Sequence, residues 1–259
     1  HYRRLQAQLL ARGLLRTGGG GVDTPYTEKD VARNFERIAF FDEYVRGGGL
    51  RRAQEGPGVL RRWRDPVRMR VEFGRRVPQE VRETDAARIA AYARRLSEVT
   101  GHPISMSDGD PNFHIIVSSE DDRARTLARV RELAPGIGQG TMDLVENPPR
   151  GIYCMVLTFA GTEQPDVYNK AIALIRSEQP GLMRRSCIHE EIAQGLGLGN
   201  DSDMARPSIF NDDEEFALLT THDEALLRLL YHPALRPGMT LAEARPVIRR
   251  ILAGDPGSI

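Results

Sequence analysis

Cys187-Ile188-His189-Glu190-Glu191-Ile192-Ala193-Gln194-Gly195-Leu196-Gly197-Leu198-Gly199-Asn200-Asp201 is the densest polar stretch of the chain. On a helix, Ile188, Ile192 and Gly195 share one face, expected to meet the core. Glu190 and Gln194 are neighbours at i and i+4 on the opposite side, with Glu191 one step round from them. Gly197 or Gly199 is expected to end the helix and let the chain turn. That turn would bring Asn200 and Asp201 back to the polar side.

The layout resembles the zinc-peptidase helix, where two histidines at i and i+4 bind metal and a glutamate activates water. Read from His189, the second ligand position holds Ala193. Read from Glu190, the frame runs Glu190-Glu191-x-x-Gln194-x-x-Gly197-x-x-Asn200. It keeps the spacings of the longer metzincin-type pattern but replaces every histidine with Glu, Gln or Asn. Downstream, Ser208-Ile209-Phe210-Asn211, Leu219-Thr220-x-x-Asp223 and Leu229-Leu230-Tyr231 resemble the segment after the metal helix in such peptidases. Phe210 stands where their turn carries a methionine.

Residues 9–16, 34–39, 60–63 and 187–201 together resemble an alphaproteobacterial family of unknown function, family 2927. The resemblance implies a secreted or envelope protein with an α+β, zincin-like fold. That fold is a twisted mixed sheet with packed helices and a mostly helical C-terminal part. It implies a helical extension over 1–60 and a zincin-like domain over 61–259. Within the latter, a sheet lobe would span about 61–180, and the motif helix and C-terminal helices about 181–259.

Local patterns fill in the elements. Residues 1–16 read as a helix, and Thr27 caps a second one over 28–45. Residues 47–58 read as a glycine-rich, arginine-bearing loop. Val67 to Phe73 alternates apolar and polar as a half-buried strand. Thr84 or Asp85 is expected to cap a helix that stops at Thr100-Gly101. Strands follow at 104–106 and 113–117, a helix at 121–133, a loop over 134–150 and a buried strand from Tyr153 to Phe159. Residues 164–176 read as helical, and later helices are expected near 186–198, 222–231 and 240–253.

With 259 residues, 36 basic and 36 acidic, the chain has no net charge, which argues against a nucleic-acid partner. Only Lys29 and Lys170 are lysines, the remaining basic residues being arginine. No run is long and apolar enough for a transmembrane segment. The sequence begins at His1, and a removed signal peptide or a trimmed start would each account for that. The resemblance favours a secreted or periplasmic location.

The candidate site is thus Glu191 and Glu190 as catalytic carboxylates, with Glu190, Gln194, Asn200 and Asp201 as metal ligands. His189, and His114 on its strand, are cleft candidates. An all-oxygen donor set suits calcium, magnesium or manganese better than zinc. The cofactor expectation is one of these four divalent ions, or none. Several readings stay open: a noncanonical hydrolase with Glu191 as general base, a metal-free acid–base pair, or a hydrogen-bonded network in place of the metal. A pseudopeptidase is a further reading, holding an extended polypeptide or envelope protein through an edge strand such as 112–118. So is a structural subunit of an envelope assembly. In the implied fold Cys154 and Cys187 lie on elements that pack together, so a Cys154–Cys187 disulfide is expected.

Overall fold

The computed structural model describes residues 1–41, 56–149, 151–211 and 213–254. Helices α1 (Tyr2–Ala11) and α2 (Glu28–Phe40) come first. Thr27 caps α2 in a reciprocal capping box with Asp30. The helix ends at Phe40, earlier than expected, and most of the 47–58 loop lies outside the described residues.

Strands β1 (Arg62–Trp63) and β2 (Val67–Phe73) lead into α3 (Gln79–Thr100). Neither Thr84 nor Asp85 caps this helix as expected, because α3 begins after Pro78. Asp85 lies inside the helix, buried, and its carboxylate pairs with Arg184 Nε at 2.6 Å. A buried ion pair on a core face mimics a polar cap in the sequence pattern. Gly101, at φ 66°, ends the helix as expected.

Strands β3 (Ile104–Met106) and β4 (Phe113–Ser118) precede α4 (Arg123–Leu133) and α5 (Gln139–Glu146). The expected 134–150 loop thus contains a helix. Strands β5 (Cys154–Ala160) and β6 (Val167–Arg176) follow. The largest correction is β6, expected to be helical. It is the strand that ties the sheet together, parallel to β1 and β4 and antiparallel to β5. Ala171, Ala173 and Ile175 face one layer while Ile172 and Leu174 face the other. A strand covered on both faces shows a continuous apolar run with no alternation to betray it.

The sheet order is β1-β6-β4-β2-β3, with β5 added beside β6. Every pairing except β5–β6 is parallel. Helices cover both faces. Residues of α2, α3, α6 (Gly181–Gly195), α7 (Thr221–Leu230) and α8 (Leu241–Leu252) join one core cluster, which includes Phe113 and Ile115. Those of α4 and α5 pack on Ile116 and Ile172 across the sheet. The fold is therefore mixed α/β around a mainly parallel sheet.

Two consequences reach the site. Strand β4 is bonded to β2 and β6 on its two sides, so 112–118 is not an edge. Strand β5 is, because among the described residues it pairs only with β6. It is half-buried along its whole length rather than buried as expected. Among the described residues no helix is long and apolar enough to cross a membrane.

Candidate functional site

Helix α6 is held at both ends. At its start, Gln6 Oε1 accepts the Met183 backbone N–H at 3.0 Å. At its end, the Trp63 indole donates to the Gly195 carbonyl and the Tyr231 hydroxyl to the Leu196 carbonyl, at 2.8 and 2.9 Å. These bonds satisfy carbonyls that a helix terminus leaves without partners. Gly197 then turns the chain at φ 130°, and a Cβ there would lie 2.4 Å from the Arg61 carbonyl oxygen.

Cys187, Glu190, Glu191 and Gln194 fall at i, i+3, i+4 and i+7, one stripe of the helix. A disulfide joins Cys187 to Cys154 at the start of β5, with Cα atoms 5.8 Å apart. It fastens this stripe to the edge strand. The Cys154 sulfur and one carboxylate oxygen each from Glu190 and Glu191 lie within 4.8 Å of one another. Glu191 is buried and Glu190 half-buried. The turn after α6 brings Asp201 back, and Gln194 Nε2 donates to its Oδ1 at 3.1 Å.

Together these groups wall a cleft of about 660 Å³ along β5. Residues 151–158 form one side, and Glu190, Glu191, Gln194, Asp201 and Glu214 bring the polar groups. Tyr153 and Tyr168 add aromatic surface. Sequence reasoning did not assign these tyrosines to the site, and it marked Glu214 only as part of the acidic run over 211–215. Glu214 sits in a loop at φ 58°, and nothing in its local pattern separates it from the surrounding acidic run.

The other site candidates lie elsewhere. Asn200 is buried against α2, its amide donating to the Arg37 carbonyl at 3.0 Å. His189 stacks on Tyr92 with ring centres 4.0 Å apart, and its Nδ1 accepts the Leu219 N–H. Burial pushes the His189 pKa down to about 3, with Arg185 and Arg95 pushing the same way, so the ring is neutral. His114 points to the α4 side of the sheet, where its Nδ1 meets Glu72 Oε1 at 2.8 Å. Burial raises the Glu72 pKa, but hydrogen bonds from His114 and Arg129 outweigh it and hold that carboxyl at about 2.

The Leu219-Thr220-x-x-Asp223 segment has a mechanical role. Asp223 is fully buried and accepts bonds from the Ser208 hydroxyl, the Ile209 N–H and both the N–H and hydroxyl of Thr220. It completes the capping box that Thr220 opens at the start of α7 and pins the turn carrying Phe210, which is itself fully buried in the main core cluster.

A zinc ion of the peptidase kind needs nitrogen or sulfur donors. Here His189 is turned to the core, both sulfurs are spent on each other, and the cleft offers oxygens. The residues do not fit such an ion.

No curated protein and no solved structure matches the chain. The family described as protein of unknown function (DUF2927) matches residues 28–250, a span that includes β5, α6 and the turn after it. The chain belongs to that family.

Proposed function

We propose that this is a zincin-like, secreted or periplasmic protein whose cleft binds an extended, cationic polypeptide without zinc. The observation that carries the reading is the edge of β5 that is unpaired among the described residues, which runs beside Glu190, Glu191, Asp201 and Glu214. An edge strand offers backbone N–H and C=O groups to a chain laid along it. The carboxylates would select lysine or arginine side chains or an amino terminus. A disulfide fits an oxidising compartment.

Fluorescence anisotropy with a panel of extended peptides tests this. Basic peptides should bind, acidic ones should not, and N-methylation of alternate backbone amides should cost at least tenfold. Equal binding of the N-methylated peptide would sink strand addition, and equal binding of acidic peptides would sink the charge rule. A chelator should leave binding unchanged.

The proximity of the Glu190 and Glu191 carboxylates favours one second reading, hydrolysis of the bound chain with Glu191 as general base. Glu191→Gln would then abolish turnover while leaving binding in place. Intact peptide after prolonged incubation with the native protein would exclude it.

A further inference from the structure

The disulfide forms part of the cleft wall, and its two sulfurs are unequal. Cys154 is half-buried and lines the cleft, whereas Cys187 is buried. The Gln179 side-chain amide donates to the Cys187 Sγ at 3.3 Å and to the Tyr153 carbonyl at 3.0 Å. A thiolate arriving from the cleft therefore meets the Cys154 sulfur first. The departing Cys187 sulfur already has a donor, and that bond strengthens once the sulfur is a thiolate. Glu190 and Glu191 stand close to the Cys154 sulfur, and Cys187, bonded to that sulfur, lies on the same helical stripe as the two carboxylates.

We propose that Cys154, Cys187, Glu190 and Glu191 form a redox-gated site for zinc, closed by the disulfide and opened when a dithiol reduces it. In the opening step a dithiol thiolate bonds to the Cys154 sulfur. The S–S bond breaks, and its electron pair leaves on the Cys187 sulfur. The second sulfur of the dithiol then resolves the mixed disulfide. The dithiol is oxidised by two electrons to its own disulfide, and its two protons end on the protein thiols. Zinc displaces these protons to solvent as it binds.

The geometry suits this exchange. Two thiolates turn an oxygen set, poor for zinc, into a set of two sulfurs and two oxygens. Ligand atoms on a tetrahedral zinc lie roughly 3.5 Å apart, given bonds of about 2.3 Å to sulfur and about 2.0 to 2.2 Å to oxygen. The Cys154 sulfur and the two carboxylates, already within 4.8 Å of one another, reach that spacing by side-chain rotation, and Cys187, its Cα 5.8 Å from that of Cys154, swings its freed sulfur in from beside them. The site lies beyond the polypeptide-binding reading, which concerns the oxidised chain, so the two stand or fall separately.

The test is cobalt titration, read by absorption, with and without a phosphine reductant that is oxidised to its oxide using the oxygen of water. After reduction the chain should bind one cobalt per molecule with a thiolate-to-cobalt charge-transfer band, which zinc abolishes. The oxidised chain should show no band. A Glu190→Gln/Glu191→Gln double variant, reduced, should bind at least about tenfold more weakly. Circular dichroism follows the fold throughout: if reduction alone loosens the protein, zinc should restore it. The proposal is overturned by two titratable thiols with no band, by equal binding in the oxidised chain, or by undiminished affinity of the double variant. Failure of zinc to restore a loosened fold would overturn it as well.

Discussion

The two faces of α6 make opposite use of charge. One stripe carries Arg184, Ile188, Ile192 and Gly195 into the core, and His189 lies close by against Tyr92. There the ionisable groups are satisfied: Arg184 pairs with Asp85 and donates to the Gln179 carbonyl, and His189 accepts a backbone N–H. The other stripe carries Cys187, Glu190, Glu191 and Gln194 to the cleft, where like-charged carboxylates gather around an edge strand. Neighbours in sequence, His189 and Glu190, thus belong to different physical problems.

The core face should break first and hardest. Arg184→Met leaves the buried Asp85 carboxylate with only the longer 3.8 Å contact to Arg88, and should cost about 3 to 5 kcal/mol in denaturant unfolding. Adding Asp85→Asn should recover part of the loss. A single variant that loses under about 1 kcal/mol would mean that this face does not anchor the helix.

Next in size is the link between the faces. Replacing both Cys154 and Cys187 with serine opens a closure over a sequence separation of 33 and should cost about 3 to 4 kcal/mol. Unchanged unfolding would show that packing of α6 on β5 and β6 holds the stripe unaided.

Acid should distinguish His189 from the carboxylates. Its pKa falls from 6.5 to about 3 on folding, so between those values the unfolded chain binds a proton that the folded chain refuses. Stability should therefore decline as pH drops below 6.5, by at most about 1.4 kcal/mol per pH unit from this one group. Glu72 acts lower: its stabilisation is full above its ordinary 4.5 and is lost as pH falls through about 2. A His189→Phe variant, melted across the range just below pH 6.5, should show a flatter pH dependence than the native protein. An identical slope would mean that the ring is not the neutral core group its contacts describe.

Much of this division was legible in the residues. The 3.6-residue period separated Ile188 and Ile192 from Glu190 and Gln194, and glycines marked the turn that returns Asp201 to Gln194. Thr27 was legible as a cap because a hydroxyl three residues before an aspartate forms a capping box from local geometry alone; Thr220 opens α7 in the same way, and that helix starts one residue earlier than expected. Apart from the Cys154–Cys187 disulfide, expected from the resemblance and present, long-range partners were not legible. Asp85 looks like a cap until Arg184 is beside it, 99 positions away. Strand β6 looks helical until a neighbour is bonded on each side and a layer packs on each face. Asn200 has the spacing of a ligand, yet its amide goes to the Arg37 carbonyl because α2 packs there.

The smallest expected change in stability belongs to the cleft face. Glu190 is half-buried beside Glu191, and Glu190→Gln keeps its shape while removing one carboxylate from the cleft. Unfolding should shift by no more than about 0.5 kcal/mol. Peptide affinity should move far more, because a basic side chain in a partly dry cleft loses a charge-assisted contact worth about 1.5 to 3 kcal/mol. A residue that matters for binding and hardly at all for folding is what a site requires. If Glu190→Gln instead unfolds the protein while leaving basic peptides bound, the cleft face is a second structural face and the contrast within α6 disappears.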